Sequence, residues 1–179
     1  LALQNVEVLR ESRATKVVVT CAHCFNALKN EYPQLGLRLE VVHHTQLLNR
    51  LVRDCRLTPV APAEGSVAGR TVTYHDPCHL VKGQKISAQP RNVLKSIPGV
   101  EYVELPGAND CCGGGGSFQV EHADTSRKIT KRKVDNIQET KAQVLATCCS
   151  GCNLTISNHL DPAIQVLHPV QLLQKALNS

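Results

Sequence analysis

The stretch Asp110-Cys111-Cys112-Gly113-Gly114-Gly115-Gly116-Ser117 places two adjacent cysteines directly before four glycines. Neighbouring side chains do not both fit comfortably on one tetrahedral ion, so the pair indicates ligands to different metal atoms of a cluster, or a strained vicinal disulfide. The glycines remove every Cβ beside the thiols, so the backbone can approach a bulky inorganic group and adopt positive φ. N–H groups of a loop that opens a helix also favour an anion, and a thiolate-bound iron–sulfur cluster is such an anion.

Three more cysteines belong to this pattern, one in Tyr74-His75-Asp76-Pro77-Cys78-His79 and two in Cys149-Ser150-Gly151-Cys152. The complete spacing is C-x32-CC-x36-C-x2-C. Structural zinc sites close with four ligands, so five thiols that include an adjacent pair favour a cluster. The predicted metal ligands are Cys78, Cys111, Cys112, Cys149 and Cys152, beside a cofactor-binding loop of Gly113, Gly114, Gly115 and Gly116. Zinc and buried structural thiols are the alternatives.

Other cysteines and histidines near these motifs have weaker signals. His75 and His79 flank Cys78 and are candidates to donate hydrogen bonds to cluster sulfurs, which raises the reduction potential of such centres. Ordinary loop histidines are the alternative for both positions. Cys148 is expected to be a spare buried thiol, and Cys55 has no motif around it and is expected to be structural.

The composition limits the class of protein. The chain of 179 residues is long enough for a real core, and with no Trp or Met that core must consist mainly of aliphatic side chains. No apolar run approaches the length of a transmembrane helix. The net charge of +5 is mild, and few aromatic side chains are present to stack on nucleic-acid bases, so nucleic-acid binding is not expected. The chain has nine cysteines, and the C-x2-C pairs among them favour metal or redox chemistry in a reducing compartment. We therefore expect a cytoplasmic location, or a peripheral one at the inner membrane through partners.

Apolar β-branched runs alternate with helical patterns along the whole chain. Strands are predicted at 16–20, 37–42, 71–74, 100–105, 143–147 and 164–167. Helices are predicted at 5–12, 25–31, 45–52, 89–97, 153–159, 170–177 and from 117 or 124 to about 140. This alternation predicts an α/β fold with mostly parallel sheets and cysteines at the carboxyl ends of strands, where such sheets place their ligands.

An internal repeat relates the two ends of the chain. The segment from Val6 through Cys24 resembles the segment from Val134 through Cys152, with a one-residue slip between strand and cysteines. Val41-Val42-His43 likewise resembles Val166-Leu167-His168, and both histidines are expected to cap the next helix. The repeat predicts two related units: residues 1–57 as the C-terminal part of a first unit, 58–70 as a Pro- and Gly-containing linker, and 71–179 as a complete second unit. The front half of the first unit would precede Leu1, so Cys21 and Cys24 would form only a partial site.

These motifs resemble the cysteine-rich "CCG" domain of heterodisulfide reductase catalytic subunits and of the iron–sulfur subunits of glycolate and lactate oxidases. The resemblance extends over nearly the whole chain and rests on five cysteines in register. It implies a [4Fe–4S] cluster, cubane or non-cubane, and a flavin-containing dehydrogenase or another redox subunit as partner. It also implies one of two roles: electron relay from 2-hydroxy acid oxidation, or disulfide cleavage at the cluster.

Two other classes of function stay open at this stage. The first is a zinc-stabilised, non-enzymatic module for interaction or assembly. The second, a thiol–disulfide oxidoreductase that uses Cys21 and Cys24, lacks a thioredoxin-like context. Nucleotide binding is disfavoured because the glycine loop has neither a P-loop ending nor dinucleotide-binding spacing. The basic run 127–133 is predicted to be a solvated helix face, with partner docking or charge compensation of an anionic cluster as alternatives.

Overall fold

The computed structural model describes residues 1–61 and 69–177. The helices are α1 (Ala2–Glu11), α2 (Ala22–Asn26), α3 (His44–Arg53), α4 (Ala88–Lys95), α5 (Phe118–Glu121), α6 (Ala123–Glu139), α7 (Ser150–Ser157) and α8 (Pro169–Lys175). The strands are β1 (Lys16–Val19), β2 (Glu40–His43), β3 (Thr71–His75), β4 (Glu101–Tyr102), β5 (Val144–Thr147) and β6 (Gln165–Leu167). The central part of the predicted linker, residues 62–68, lies outside the described residues.

Two parallel sheets confirm the predicted α/β fold class. In the first sheet β1 pairs with β2, and in the second the order is β4-β3-β5-β6. Every strand pair in the described part of the chain is parallel. Parallel neighbours are joined by helical crossovers, so the carboxyl ends of β3 and β5 lie together at one edge of their sheet.

The two sheets share one hydrophobic core. Val19 in β1 and Phe25 in α2 pack in the same cluster as Val72 and Tyr74 in β3 and Leu172 in α8. A second cluster lies around Leu145, Ile137 and Ile156, on the side of the second sheet that α6 and α7 cover. Burying each of these large side chains contributes about 1.5–3 kcal/mol, so the shared core holds the two sheets together.

Several predicted boundaries differ from the structure. The predicted strand 37–42 pairs only from Glu40, because its register begins opposite Lys16. The predicted strand 100–105 is reduced to β4, since the chain leaves the ladder for the turn at 106–109 that leads to the cysteine pair. The predicted helix 25–31 is an α-helix to Asn26, followed by a π-helical turn (Ala27–Glu31) and a 3-10 turn (Tyr32–Leu35).

The internal repeat is visible in the backbone, without the predicted one-residue slip. Cys21 and Cys149 both precede a helix as its extended N-cap residue, with φ of −104° and −128°. Strand β1 ends two residues before Cys21, and β5 ends two residues before Cys149, so Thr20 and Cys148 occupy equivalent positions. The expected capping is also present: His43 and His168 each accept a backbone N–H in a capping box, together with a glutamine three residues later.

No helix in residues 1–61 and 69–177 is long and apolar enough to cross a bilayer.

Candidate metal centre

Three separate segments bring the predicted ligands to one edge of the second sheet. Cys78 follows β3, and Cys149 and Cys152 lie at the start of α7, directly after β5. Cys111 and Cys112 follow the turn at 106–109 and precede α5. The side chains of these five residues therefore converge from positions far apart in sequence, as the strand-end argument predicts.

The innermost sulfurs belong to Cys112, Cys152 and Cys149. A hydrogen bond from the Cys152 thiol, with smaller contributions from the nearby His75 ring and the Gly114 N–H, lowers the pKa of Cys112 to about 4. A second interaction with Cys152, together with the N–H groups of Cys152 and Gly151, lowers the pKa of Cys149 to about 5. The pKa of Cys152 is raised, because it is the shared donor to both. Thiolates are the metal-binding form of cysteine, and the pKa values of Cys112 and Cys149 are both shifted in the direction that favours this form.

Cys78 and Cys111 lie at the outer side of the set. Burial raises the pKa of the Cys78 thiol, and the nearby sulfurs of Cys111, Cys112 and Cys149 raise it further. Cys111 is exposed, and its sulfur accepts the N–H of Gly113 at 3.3 Å. The adjacent cysteines thus differ in environment, one buried and one open to solvent, and this arrangement suits ligands to different metal atoms.

The two candidate histidines have different positions. His75 is 1% exposed, and neither ring nitrogen has a hydrogen-bond partner of ordinary geometry. One of its nitrogens lies within 4.8 Å of the Cys112 and Cys152 sulfurs, which are themselves that close to each other. An orphaned buried imidazole costs free energy unless it is paired, so a partner among these sulfurs is expected. His79 is exposed; its Nδ1 lies 3.5 Å from the Cys78 sulfur, and its ring lies against that of His23.

Only the first two glycines of the loop need to be glycine for space. A Cβ on Gly113, whose φ is +88°, would lie 2.5 Å from Thr130 Oγ1, and one on Gly114 would overlap Thr155 Oγ1. A Cβ on Gly115 or Gly116 would meet nothing within 4 Å. In the structure the close approach is therefore to side chains of helices α6 and α7, which clamp the loop from two sides.

Side chains of helix α6 hold the cysteine loop by donating hydrogen bonds to backbone carbonyls of that loop. Ser126 donates its hydroxyl to the Gly113 carbonyl at 2.9 Å, and Thr130 donates to the Cys112 carbonyl at 2.8 Å. Ser126 and Thr130 are both buried, so these hydrogen bonds satisfy carbonyl groups whose burial without a partner would cost free energy. Neither residue was predicted from the sequence; their i,i+4 spacing on the buried face of α6 is the only signal.

A buried ion pair fixes the loop that carries Cys78. Asp76 is 2% exposed, and its carboxylate accepts two hydrogen bonds from Arg91, at 2.9 and 2.6 Å. Burial opposes the charge of Arg91, but its bonds to Asp76 and Glu104 outweigh burial and raise the pKa of Arg91. This two-bonded ion pair joins Asp76, just after β3, to Arg91 in α4. It thereby sets the direction in which the chain leaves β3 toward Cys78.

We expect Arg91→Met to destabilise the fold by about 3 kcal/mol, because it leaves the Asp76 carboxylate buried without its partner. Chemical denaturation of the full chain measures this change. Lys16→Met is the control, since its pair with Glu40 is about half exposed on both sides and is worth at most about 1 kcal/mol. Equal loss from the two variants would contradict a special role for the buried ion pair.

One cysteine of the predicted partial site shares a cavity with the candidate centre. This cavity, of about 180 Å³, is lined by Cys21 and His23 together with Cys78 and Cys149. Cys21 and Cys24 are both exposed. A hydrogen bond that the Cys24 thiol donates to Cys21, together with burial, raises the pKa of Cys24. Cys21 thus borders the same space as part of the candidate centre, whereas Cys24 is not among the residues that line it.

Cys148 behaves as the predicted buried thiol. It accepts the Tyr74 hydroxyl at 3.4 Å, and burial raises its pKa to about 12. Its neighbours were not predicted from the sequence: His44 and His168 each place a nitrogen within 4.8 Å of its sulfur. Burial lowers the pKa of His44 to about 3, so this ring is neutral where the units meet.

Residues 72–157 match the CCG family of cysteine-rich domains. The resemblance predicted from the motifs is therefore confirmed, and the matched range includes all five cysteines of the candidate centre.

Proteins similar to this chain include components of named redox enzymes. One component of the dihydromethanophenazine:CoB–CoM heterodisulfide reductase of Methanosarcina barkeri is 35% identical over 99% of this chain and 44% of its own length. One component of the fumarate reductase (CoM/CoB) of Methanothermobacter marburgensis is 32% identical over 89% of this chain and 32% of its own length. An uncharacterised iron–sulfur protein of Methanococcus maripaludis is 32% identical over 99% of this chain and 35% of its own length. The chain thus spans less than half the length of these curated relatives.

The donor set formed by Cys78, Cys111, Cys112, Cys149 and Cys152 fits an iron–sulfur cluster. Its thiols are the ligands that such clusters use. The glycine loop adds N–H groups directed at Cys111 and Cys112 sulfurs, and His75 adds an orphaned ring at the same place. Hydrogen-bond donors around cluster sulfurs are the usual second layer of such a site.

Proposed function

We propose that this chain is an iron–sulfur component of an oxidoreductase and that Cys78, Cys111, Cys112, Cys149 and Cys152 bind one [4Fe–4S] cluster. The observation that carries the proposal is the convergence of five thiols from three segments around a pair of adjacent cysteines with unequal exposure. Relatives named as iron–sulfur proteins and as redox-enzyme components support it.

In this proposal each segment has a separate task. The glycine loop and α6 fix Cys111 and Cys112, α7 supplies Cys149 and Cys152, and the Asp76–Arg91 pair sets the position of Cys78. When bound, the cluster supplies one-electron chemistry at a potential that its surroundings set. The protein's own residues exclude water from Cys112 and Cys152 and leave the Cys111 side open to a partner.

The partner in this proposal is another redox subunit, with a flavin-containing dehydrogenase as the specific candidate. The cavity between the units gives a second possibility, since a small disulfide there would reach Cys78 and Cys149 directly. Cubane and non-cubane clusters correspond to these two roles. We also propose the two-unit division, with residues 1–57 as part of a first CCG unit and Cys21 and Cys24 as its partial site.

One observation favours zinc as a second candidate. His75, Cys112 and Cys152 offer three ligand atoms within 4.8 Å of one another, and Cys149 is a possible fourth ligand through its contact with Cys152. Such a Cys₃His set is typical of structural zinc. The chain would then be an interaction or assembly module without electron transfer.

Metal and acid-labile sulfide analysis of the anaerobically purified full chain tests the proposal. We expect iron and sulfide in equal amounts, near four of each per chain, with an EPR signal in one redox state. Stoichiometric zinc without sulfide would establish the alternative and remove the electron-transfer function.

We expect His75→Gln to change the midpoint potential of the cluster more than its iron content. The ring lies against the Cys112 and Cys152 sulfurs, and hydrogen bonds of that kind tune a centre without holding it. Redox titration followed by EPR measures the shift, with His159→Gln as the control at an exposed position just after α7. Loss of iron in parallel with the loss of the ring would instead identify His75 as a ligand.

A further inference from the structure

Lys133 differs from the other basic residues of α6. Its neighbours Lys131 and Arg132 are exposed, as the sequence predicts for a solvated face, but Lys133 is 1% exposed. Its ammonium donates to the carbonyl of Gly107, in the turn just before the cysteine pair. The prediction that the whole run 127–133 is solvated is therefore wrong at this residue, because its side chain lies on the face of α6 that packs on the loop.

The charge of Lys133 has few opposite charges near it. Within residues 1–61 and 69–177 no carboxylate forms an ion pair with it. Burial lowers its pKa, while Asp110, Cys112 and Cys111 act in the opposite direction. A buried ammonium costs several kcal/mol unless a negative charge accompanies it, and an apolar side chain would avoid that cost. Apart from the Asp110 carboxylate, the negative groups that act on Lys133 belong to the candidate centre.

We propose that Lys133 is the fixed positive charge that compensates an anionic cluster at Cys111 and Cys112 and raises its reduction potential. The inference rests on the proposed iron–sulfur function. Reduction adds one electron to the centre, and a buried ammonium stabilises the reduced form more than the oxidised form. Lys133 contacts the loop and not the reacting atoms, so it acts as a tuning residue.

Asp110 allows a test based on the sign of the shift in reduction potential. It lies beside the cysteine pair, and its carboxylate is so close to Gly107 that a Cβ there would meet Oδ2 at 2.5 Å. Lys133 and Asp110 therefore place opposite charges on the same turn. A purely electrostatic effect predicts opposite shifts on neutralising each of them, whereas structural damage to the turn would act in the same direction for both.

The experiment compares Lys133→Met, Lys133→Arg, Asp110→Asn and Lys131→Met in the full chain, with iron, sulfide and midpoint potential measured for each. Met keeps the length and apolar character of the stem and removes the charge. We expect Lys133→Met to shift the redox equilibrium about tenfold toward the oxidised form, which is about 59 mV for one electron. Asp110→Asn should shift it in the opposite direction. Lys133→Arg and Lys131→Met should stay close to the unsubstituted protein.

The outcomes separate this inference from the proposed function. An unchanged potential in a fully loaded Lys133→Met protein, or shifts of the same sign for Lys133→Met and Asp110→Asn, overturns the role of Lys133 alone. If Lys133→Met loses its cluster, retention in Lys133→Arg supports the charge requirement, and equal loss in both variants overturns it. Absence of iron and sulfide from the unsubstituted chain would overturn both proposals.

Discussion

Cys112→Ser is expected to lower the affinity for the cluster by more than about 100-fold, since even partners outside the ligand set cost about 10–100-fold. Cys112 is 4% exposed and hydrogen-bonded to Cys152, so it occupies the middle of the set. A serine oxygen is a poor ligand for a soft iron–sulfur centre, and water cannot replace it in a buried position.

Iron and sulfide content after anaerobic purification, together with visible absorption, measures this effect. Cys148→Ser is the matched control, because Cys148 is equally buried, belongs to the same domain and contacts Tyr74 instead of the other predicted ligands. Thermal unfolding of both apoproteins separates metal loss from misfolding. Equal loss of iron from the two variants would show that Cys112 is not a ligand.

The strand-end cysteines illustrate what the sequence predicts well. Val144–Thr147 is apolar and completely buried, so its pattern identifies both the strand and the place where Cys149 emerges. Parallel pairing with β3 then fixes the distance to Cys78, because the ends of neighbouring strands lie side by side. The relation between local pattern and site is direct in such a fold, and this explains why the fold class and the convergence of cysteines were predictable.

The residues that support the candidate ligands were not predictable, because their contacts depend on tertiary packing and not on a local sequence pattern. Lys133 and Lys131 belong to the same basic run and look alike in the sequence. Only the packing of α6 on the cysteine loop distinguishes the buried ammonium from the exposed one. His44 follows β2 of the first sheet and meets Cys148 and His168 of the second, so this contact depends on how the two sheets pack. The shortened β4 likewise depends on a turn whose geometry has no strong sequence signature. These features are tertiary, and single-sequence periodicity contains no information about them.

Gly114→Ala is expected to displace the cysteine loop and destabilise the domain by about 3 kcal/mol, at the upper end of the usual cost of overpacking. The new Cβ would overlap Thr155 Oγ1 and lie 2.7 Å from Thr155 Cβ, so the backbone or α7 would have to shift. The Gly114 N–H also stabilises the Cys112 thiolate. Movement of the loop would therefore weaken a ligand and separate it from Cys152, which α7 carries.

Gly115→Ala is the control for this substitution, because its Cβ would meet nothing within 4 Å. Chemical denaturation of the apoprotein and iron content after reconstitution should both fall for Gly114→Ala and stay near the unsubstituted values for Gly115→Ala. The double variant Gly114→Ala/Thr155→Gly removes the clashing side chain, so it should recover part of the lost iron despite its weakened helix. If Gly114→Ala bound iron as well as Gly115→Ala, the clamp between α6 and α7 would not be what positions Cys111 and Cys112, and the four glycines would instead serve the approach of the backbone to the cluster.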